Sequence, residues 1–259
     1  VKVNLHAIGH WQPADVVSRW SDSSQTLPAE LQDEIDRAWN TAIAAGRWKL
    51  FDGPMCRLDR FSAAERLELE LSRTSYKVFW GTNLHGKNVK ERFGGEALAN
   101  PLGLSCALQS ADGFLLLGRR SATVAYYPSR VHPFAGALEP GDCVDVFSEI
   151  RRELAEELSL GGGDVAEIWC AGIVEDISIS QPELVFAART GLRRDELMAQ
   201  LDKDEHEAIY AIQPEPSSVE LALRDGAMTP VALGTILLWG RAHFGAGWFD
   251  AARQAVNLG

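Results

Sequence analysis

The chain has 259 residues, 46% of them hydrophobic and 24% charged, with a formal net charge of −11. That length supports an enzyme-sized core. The charge argues against a nucleic-acid or anionic-membrane surface, either of which calls for clustered lysine and arginine. Cys56, Cys106, Cys143 and Cys170 form no C-x-x-C pair and read as small buried hydrophobes in a reducing compartment. The histidines lack H-E-x-x-H spacing, which argues against a zinc site. The longest apolar run, residues 232–239, is far short of the ~20 needed to span a bilayer. No signal peptide opens the sequence, so a cytoplasmic location is expected.

In chain order, residues 1–8 alternate apolar and polar and predict a strand, followed by a polar loop. A helix is expected from Leu27-Pro28 to Ala45, ended by Gly46. Residues 55–60 and 67–72 read as a strand pair. Residues 74–83 set Tyr76, Phe79 and Trp80 at helical spacing before Gly81, Thr82 and Asn83. The stretch reads either as a helix docked on a core or as a turn aiming polar groups at a ligand. Gly94-Gly95 and Asn100-Pro101 place a boundary near residue 100. Beyond it, residues 102–109 and 114–119 predict a hairpin around Ala111-Asp112-Gly113. Arg119, Arg120 and Arg130 follow closely, and guanidinium forks suit phosphate oxygens. A short extended piece at 132–134 leads through Gly136 to an acidic helix, with Gly161-Gly162-Gly163 as its left-handed cap and link. Strands at 165–174 and 183–190, a helix at 192–201, a strand at 208–212 and helices at 218–223 and 229–243 complete the chain. The pattern is α/β with a mixed sheet and helices on both faces. The expected domains are an α+β extension (1–100), a central domain (101–225) and C-terminal helices packed on the body (226–259).

Residues 149–158, E-I-R-R-E-L-A-E-E-L, carry the chemistry. At 3.6 residues per turn, Glu149, Arg152, Glu153, Glu156 and Glu157 share one face, and Phe147, Ile150, Leu154 and Leu158 form an adjacent apolar stripe. Like charges four apart, Glu149 with Glu153 and Glu153 with Glu157, cost roughly 0.2–0.5 kcal/mol each when exposed. A solvated acidic surface would show the same pattern. A hard divalent cation would relieve it, because Mg²⁺ and Mn²⁺ prefer oxygen ligands.

The run from Gly136 through R-E-L-A-E-E at 152–157 resembles the Nudix box. Asp142 stands where the box has glutamate, the stretch from there to Arg152 is two residues longer than the pattern, and Ser159 replaces a glycine. Trp48 to Asp52, Arg57-Leu58, Thr74 to Phe79, Gly81-Thr82-Asn83, Asn100 to Gly103 and Glu205-His206-Glu207 are similar to the branch that hydrolyses UDP-glucose and UDP-galactose. The resemblance implies a Nudix αβα sandwich with a mixed sheet, an N-terminal α+β extension and C-terminal helices.

The resemblance also implies a Mg²⁺-dependent enzyme, with Mn²⁺ as a substitute, that cleaves the pyrophosphate of a nucleotide sugar to UMP and hexose 1-phosphate. An ADP-ribose-like substrate and a non-catalytic nucleotide-binding domain are the alternatives. Glu153, Glu156 and Glu157 fall on the metal-ligand positions, and Arg152 on the arginine that holds a box glutamate. Glu207, with Glu205 second, is the choice for a further glutamate acting as base or ligand, which makes Glu153, Glu207 and Arg152 the catalytic group. Asn83, Arg119 and Arg130 are the polar candidates for substrate binding. The partner is a small molecule, with no nucleic acid or membrane. Many family members are dimers, so a homodimer is compatible. Gly103-Leu-Ser105-Cys-Ala107 nearly matches a G-x-S-x-G nucleophile elbow, but Ser105 lies within an apolar strand pattern rather than at a strand-to-helix turn.

Overall fold

The computed structural model describes residues 3–21, 25–48 and 50–256. Its strands are β1 (Val3–Trp11), β2 (Val16–Trp20), β3 (Pro54–Ala63), β4 (Leu67–Ser75), β5 (Gly103–Gln109), β6 (Leu115–Arg120), β7 (Val131–His132), β8 (Phe134–Ala137), β9 (Val165–Asp176), β10 (Gln181–Thr190) and β11 (His206–Ile212). Its α-helices are α1 (Ala29–Ala45), α2 (Tyr76–Phe79), α3 (Val89–Phe93), α4 (Val146–Leu158), α5 (Arg194–Ala199), α6 (Pro216–Leu223), α7 (Pro230–Phe244) and α8 (Ala246–Ala255). Residues 1–2 of the expected first strand, and Lys49 of the Trp48–Asp52 run, lie outside the described residues.

A mixed sheet runs in the order β1-β9-β10-β5-β6-β11, with β7 on β6 and β8 on β5. Its central pair, β10 and β5, is parallel, and its other neighbours are antiparallel. Strand alternation divides the core. Leu104, Cys106 and Leu108 of β5 join Phe147, Ile150, Leu154 and Leu158 of α4, and also Leu67, Leu69 and Leu71 of the small sheet β2-β4-β3. Ala107 of β5 points the other way, to the layer of α6, α7 and α8. The result is a sandwich whose central strands are covered on both faces, which is why they read as nearly continuous apolar runs. β1 pairs with β9 across the expected boundary near residue 100. The first hundred residues therefore supply one strand of the main sheet as well as the small sheet.

The feature that positions the site is a split in the sheet. β5 and β6 pair only at Leu108↔Leu116 and Gln109↔Leu115. They then diverge, and β7 and β8 fill the opening, one on each. Gly118 of β6 and Gly136 of β8 lie at this opening.

Several expectations are corrected. β2, which pairs in parallel with β4, occupies what reads as a polar loop, because V-V-S-R-W does not alternate. The left-handed residue ending α4 is Ser159 at φ 53, not one of the three glycines. A non-glycine residue in that region is disfavoured by about 1–2 kcal/mol, and the tertiary structure tolerates it here. Gly245 at φ 90 breaks the C-terminal helical stretch into α7 and α8. Cys56, Cys106 and Cys170 are buried, whereas Cys143 is exposed. No helix among the described residues is long and apolar enough to cross a membrane.

Candidate active site

α4 begins where Asp145 accepts hydrogen bonds from Phe147 N and Ser148 N, a cap that satisfies first-turn donors. From there its four glutamates divide into two sets. Glu153 and Glu157 turn inward to the split, 9% and 2% exposed, while Glu149 and Glu156 remain toward solvent. Arg152 clamps the outer edge. It donates from Nε to Glu149 at 3.1 Å, from Nη1 to Glu156 at 2.8 and 2.9 Å, and from Nη2 to Glu153 at 2.6 Å. Charge-assisted bonds of this kind fix carboxylate orientation as well as neutralising repulsion.

Glu153 reaches the backbone of β8 at Gly136. A Cβ there would lie 2.0 Å from Glu153 Cδ, so the first glycine of the box is the space the carboxyl group occupies. Glu157 accepts from Ala135 N at 3.2 Å and lies 3.1 Å from His206 Nε2. His206 occupies space over Gly118, where a Cβ would lie 2.2 Å from Nδ1. Two glycines, one on β8 and one on β6, thus make room for Glu153 and His206.

Oxygen and nitrogen atoms of Glu157, Glu205 and His206 all lie within 4.8 Å of one another. Glu205 is therefore the acid brought to Glu157. Glu207, the first choice from sequence, is exposed and sits in the irregular register between His206 and Ala208 at the start of β11. Burial pushes Glu157 well above the ordinary carboxylate range, and the neighbouring Glu205 and Glu153 push it further. Glu153 is pushed up to about 7, again by burial first, with Arg152 opposing. Burial and the charge of Arg120 push His206 down to about 4. When Glu157 is ionised, a neutral imidazole protonated on Nε2 donates to it and leaves at the unpartnered Nδ1 a lone pair rather than an N–H.

The substrate-binding candidates are distributed differently from expectation. Asn83 donates to Ile179 O at 2.8 Å and Ser180 O at 3.1 Å, and accepts from Ala99 N at 3.0 Å. Its amide ties two loops together. Arg119 alternates with Gly118 and Arg120, so it faces the α6–α8 layer, where it donates to Ser129 O at 3.2 Å. Arg130 donates to Met228 O at 3.1 Å on that same side. Arg120, grouped with Arg119 and Arg130 for its guanidinium but not among the substrate-binding candidates, is the arginine directly opposite His206 across the β6–β11 ladder. Strand alternation was the signal that could have found it: Gly118 and Arg120 share one face.

Ser105 is buried in mid-strand, where its hydroxyl donates to the buried Glu183, and it forms no nucleophile elbow. Glu183 itself is pushed up to about 7 by burial. Gly103 makes room for its side chain, since a Cβ there would lie 2.6 Å from Glu183 Cγ.

A mixed sheet between two layers, with R-E-L-A-E-E on a helix whose inner glutamates enter a split in that sheet, is a Nudix site, and the chain belongs to the Nudix hydrolase family. The particular relatives it matches are uridine diphosphate glucose pyrophosphatases named NUDT22. The mouse protein is 30% identical over 245 residues, covering 80% of this chain and 79% of the relative. The human protein is 28% identical over 249 residues, covering 82% of each. No family model matches the chain. Among solved structures, a Nudix hydrolase from Nitrosomonas europaea aligns at 16% identity and a TM-score of 0.36, over 55% of this chain and 90% of that one.

Proposed function

We propose that the chain is a Mg²⁺-dependent pyrophosphohydrolase of nucleoside diphosphate sugars, converting UDP-glucose or UDP-galactose to UMP and hexose 1-phosphate. The observation that carries this reading is the inward pair Glu153 and Glu157, buried, mutually repelling and joined by Glu205 at the split. Their donor set suits a hard cation. The carboxylate oxygens are crowded, while the imidazole Nε2 is committed to Glu157. Glu153, Glu156, Glu157 and Glu205 would hold the ion, and Mn²⁺ would substitute for Mg²⁺. When bound, the ion stabilises charge that builds on phosphate oxygens and lowers the pKa of water.

The chain's own groups do the rest. Water adds to one phosphorus, the bond from that phosphorus to the bridging oxygen breaks, and the released proton passes to a carboxylate. Glu205, the exposed member of the cluster, is our choice for that base, a role worth typically 10²–10⁴-fold. Arg152 holds Glu153 and Glu156 in register, and His206 orients Glu157. The UDP-sugar assignment is supported by the likeness, over most of the chain, to relatives named uridine diphosphate glucose pyrophosphatase.

A substrate panel tests it. With Mg²⁺, phosphosugar release from UDP-glucose should exceed turnover of ADP-ribose and of dinucleoside polyphosphates, and EDTA should abolish it. Equal or reversed rates would remove the UDP-sugar assignment while leaving a Nudix hydrolase. No turnover of any compound would point to a non-catalytic nucleotide-binding domain.

A further inference from the structure

A site built from four carboxylates must still admit a substrate that is itself an anion. The chain as a whole is acidic, with a net charge of −11, so attraction has to come from a local cation. Arg120 has the right place. It faces His206 in the β6–β11 ladder, and His206 Nε2 lies 3.1 Å from Glu157. The next residue, Ser121, donates its backbone N–H to Glu205 O at 2.8 Å. Arg120 therefore lies beside both the buried and the exposed member of the acidic cluster, on their side of the sheet.

It is also unspent. Arg119 and Arg130 donate to backbone carbonyls and Arg152 to three carboxylates. Among the described residues Arg120 makes no side-chain hydrogen bond or ion pair, and its Nε is buried without a partner. Its guanidinium rests on the ring of Tyr126, 4.9 Å from the centroid. Stacking holds the plane of the fork but uses none of its in-plane donors. A buried N–H left unmatched is costly, and an arriving oxyanion would offset that cost.

We propose that Arg120 is the phosphate-binding arginine of this site, donating its fork to the diphosphate of the substrate, with Tyr126 as the platform that orients it. This rests on the nucleoside diphosphate reading above and adds the residue that recognises the anion. A purely structural role, in which Arg120 only offsets the field of buried Glu157 and Glu183, predicts lost stability with unchanged substrate affinity.

The test uses Arg120→Ala and Arg120→Gln, with Arg119→Ala as the control on the opposite face. Kinetics are measured on whichever nucleoside diphosphate compound the wild-type enzyme hydrolyses fastest with Mg²⁺. UMP binding at saturating Mg²⁺ supplies a readout independent of turnover. We expect KM and the UMP Kd to rise together by about 10- to 150-fold in the Arg120 variants, as for loss of a charge-assisted bond. The control should stay within about twofold, as expected for a surface substitution away from the site. A KM and Kd within twofold of wild type in either folded variant overturns the proposal. If Arg120→Ala does not fold, Arg120→Gln, which keeps the stem and a neutral donor, decides it. Preference for a base other than uracil overturns the substrate assignment and leaves Arg120 to be judged on the preferred compound.

Discussion

Replacing Glu157 with glutamine is expected to reduce Mg²⁺-dependent turnover by about 10³-fold or more, the scale expected when metal-assisted chemistry is lost. The fold should remain intact. Glu157 is 2% exposed and surrounded by Ala135 N, His206, Glu153 and Glu205. An amide of the same shape fills that space, still accepts from Ala135 N, and removes a buried charge whose desolvation is costly. In EDTA the variant should therefore melt at or above the wild-type temperature. That pairing of lost activity with retained or improved metal-free stability separates a ligand role from a structural one. Wild-type turnover with wild-type Mg²⁺ dependence in a purified Glu157→Gln protein would remove the basis for the site.

The second large effect is at Gly136, a residue with no functional group. A methyl at this position would meet the Glu153 carboxyl group 2.0 Å away. Because the carboxyl is the far end of a flexible side chain, it would move rather than distort the sheet. The expected cost in stability is small, and the expected cost in kcat is about 10²-fold, as for an ångström-scale displacement of a positioned group. Thermal melting and single-substrate kinetics on Gly136→Ala check both halves. A fully active variant would show that Glu153 does not need the place it occupies.

What the sequence disclosed followed the rules of regular structure. α4 was legible because its 3.6-residue periodicity puts Phe147, Ile150, Leu154 and Leu158 on one stripe, and all four are buried. The mixed sheet was legible from runs such as 103–109 that are apolar on both faces. What the sequence did not disclose depends on junctions between elements. The separation of Glu153 and Glu157 from Glu149 and Glu156 is set by the split between β5 and β6, which no periodicity announces. The exchange of Glu205 for Glu207 follows from the irregular start of β11, where a shift of one residue redirects every side chain. Arg119 and Arg120 look alike as letters, and only the placement of β6 between two cores distinguishes them. Asn83 is polar because Ala99, Ile179 and Ser180 present backbone groups that must be paired.

The central claim is that the acidic helix converts its own repulsion into metal affinity, and its stability as a function of pH tests this directly. Glu153, pushed up to about 7, and Glu157, pushed well above the ordinary carboxylate range, hold protons in the folded state that they would release when unfolded above the ordinary value of 4.5. Their contribution to stability is complete below that value and is lost as pH rises through the folded values. His206 behaves in the opposite sense. Pushed down from 6.5 to about 4, it contributes fully above 6.5 and loses that contribution only as pH falls. Above about pH 6.5 the carboxylates are therefore the part of the cluster whose contribution changes. The measurement is the melting temperature across that window, in EDTA and in saturating Mg²⁺. The account predicts a fall with rising pH in EDTA, and a stabilisation by Mg²⁺ that grows over the same range. A metal-free melting temperature that holds or rises, together with a Mg²⁺ shift of zero at every pH, would contradict it.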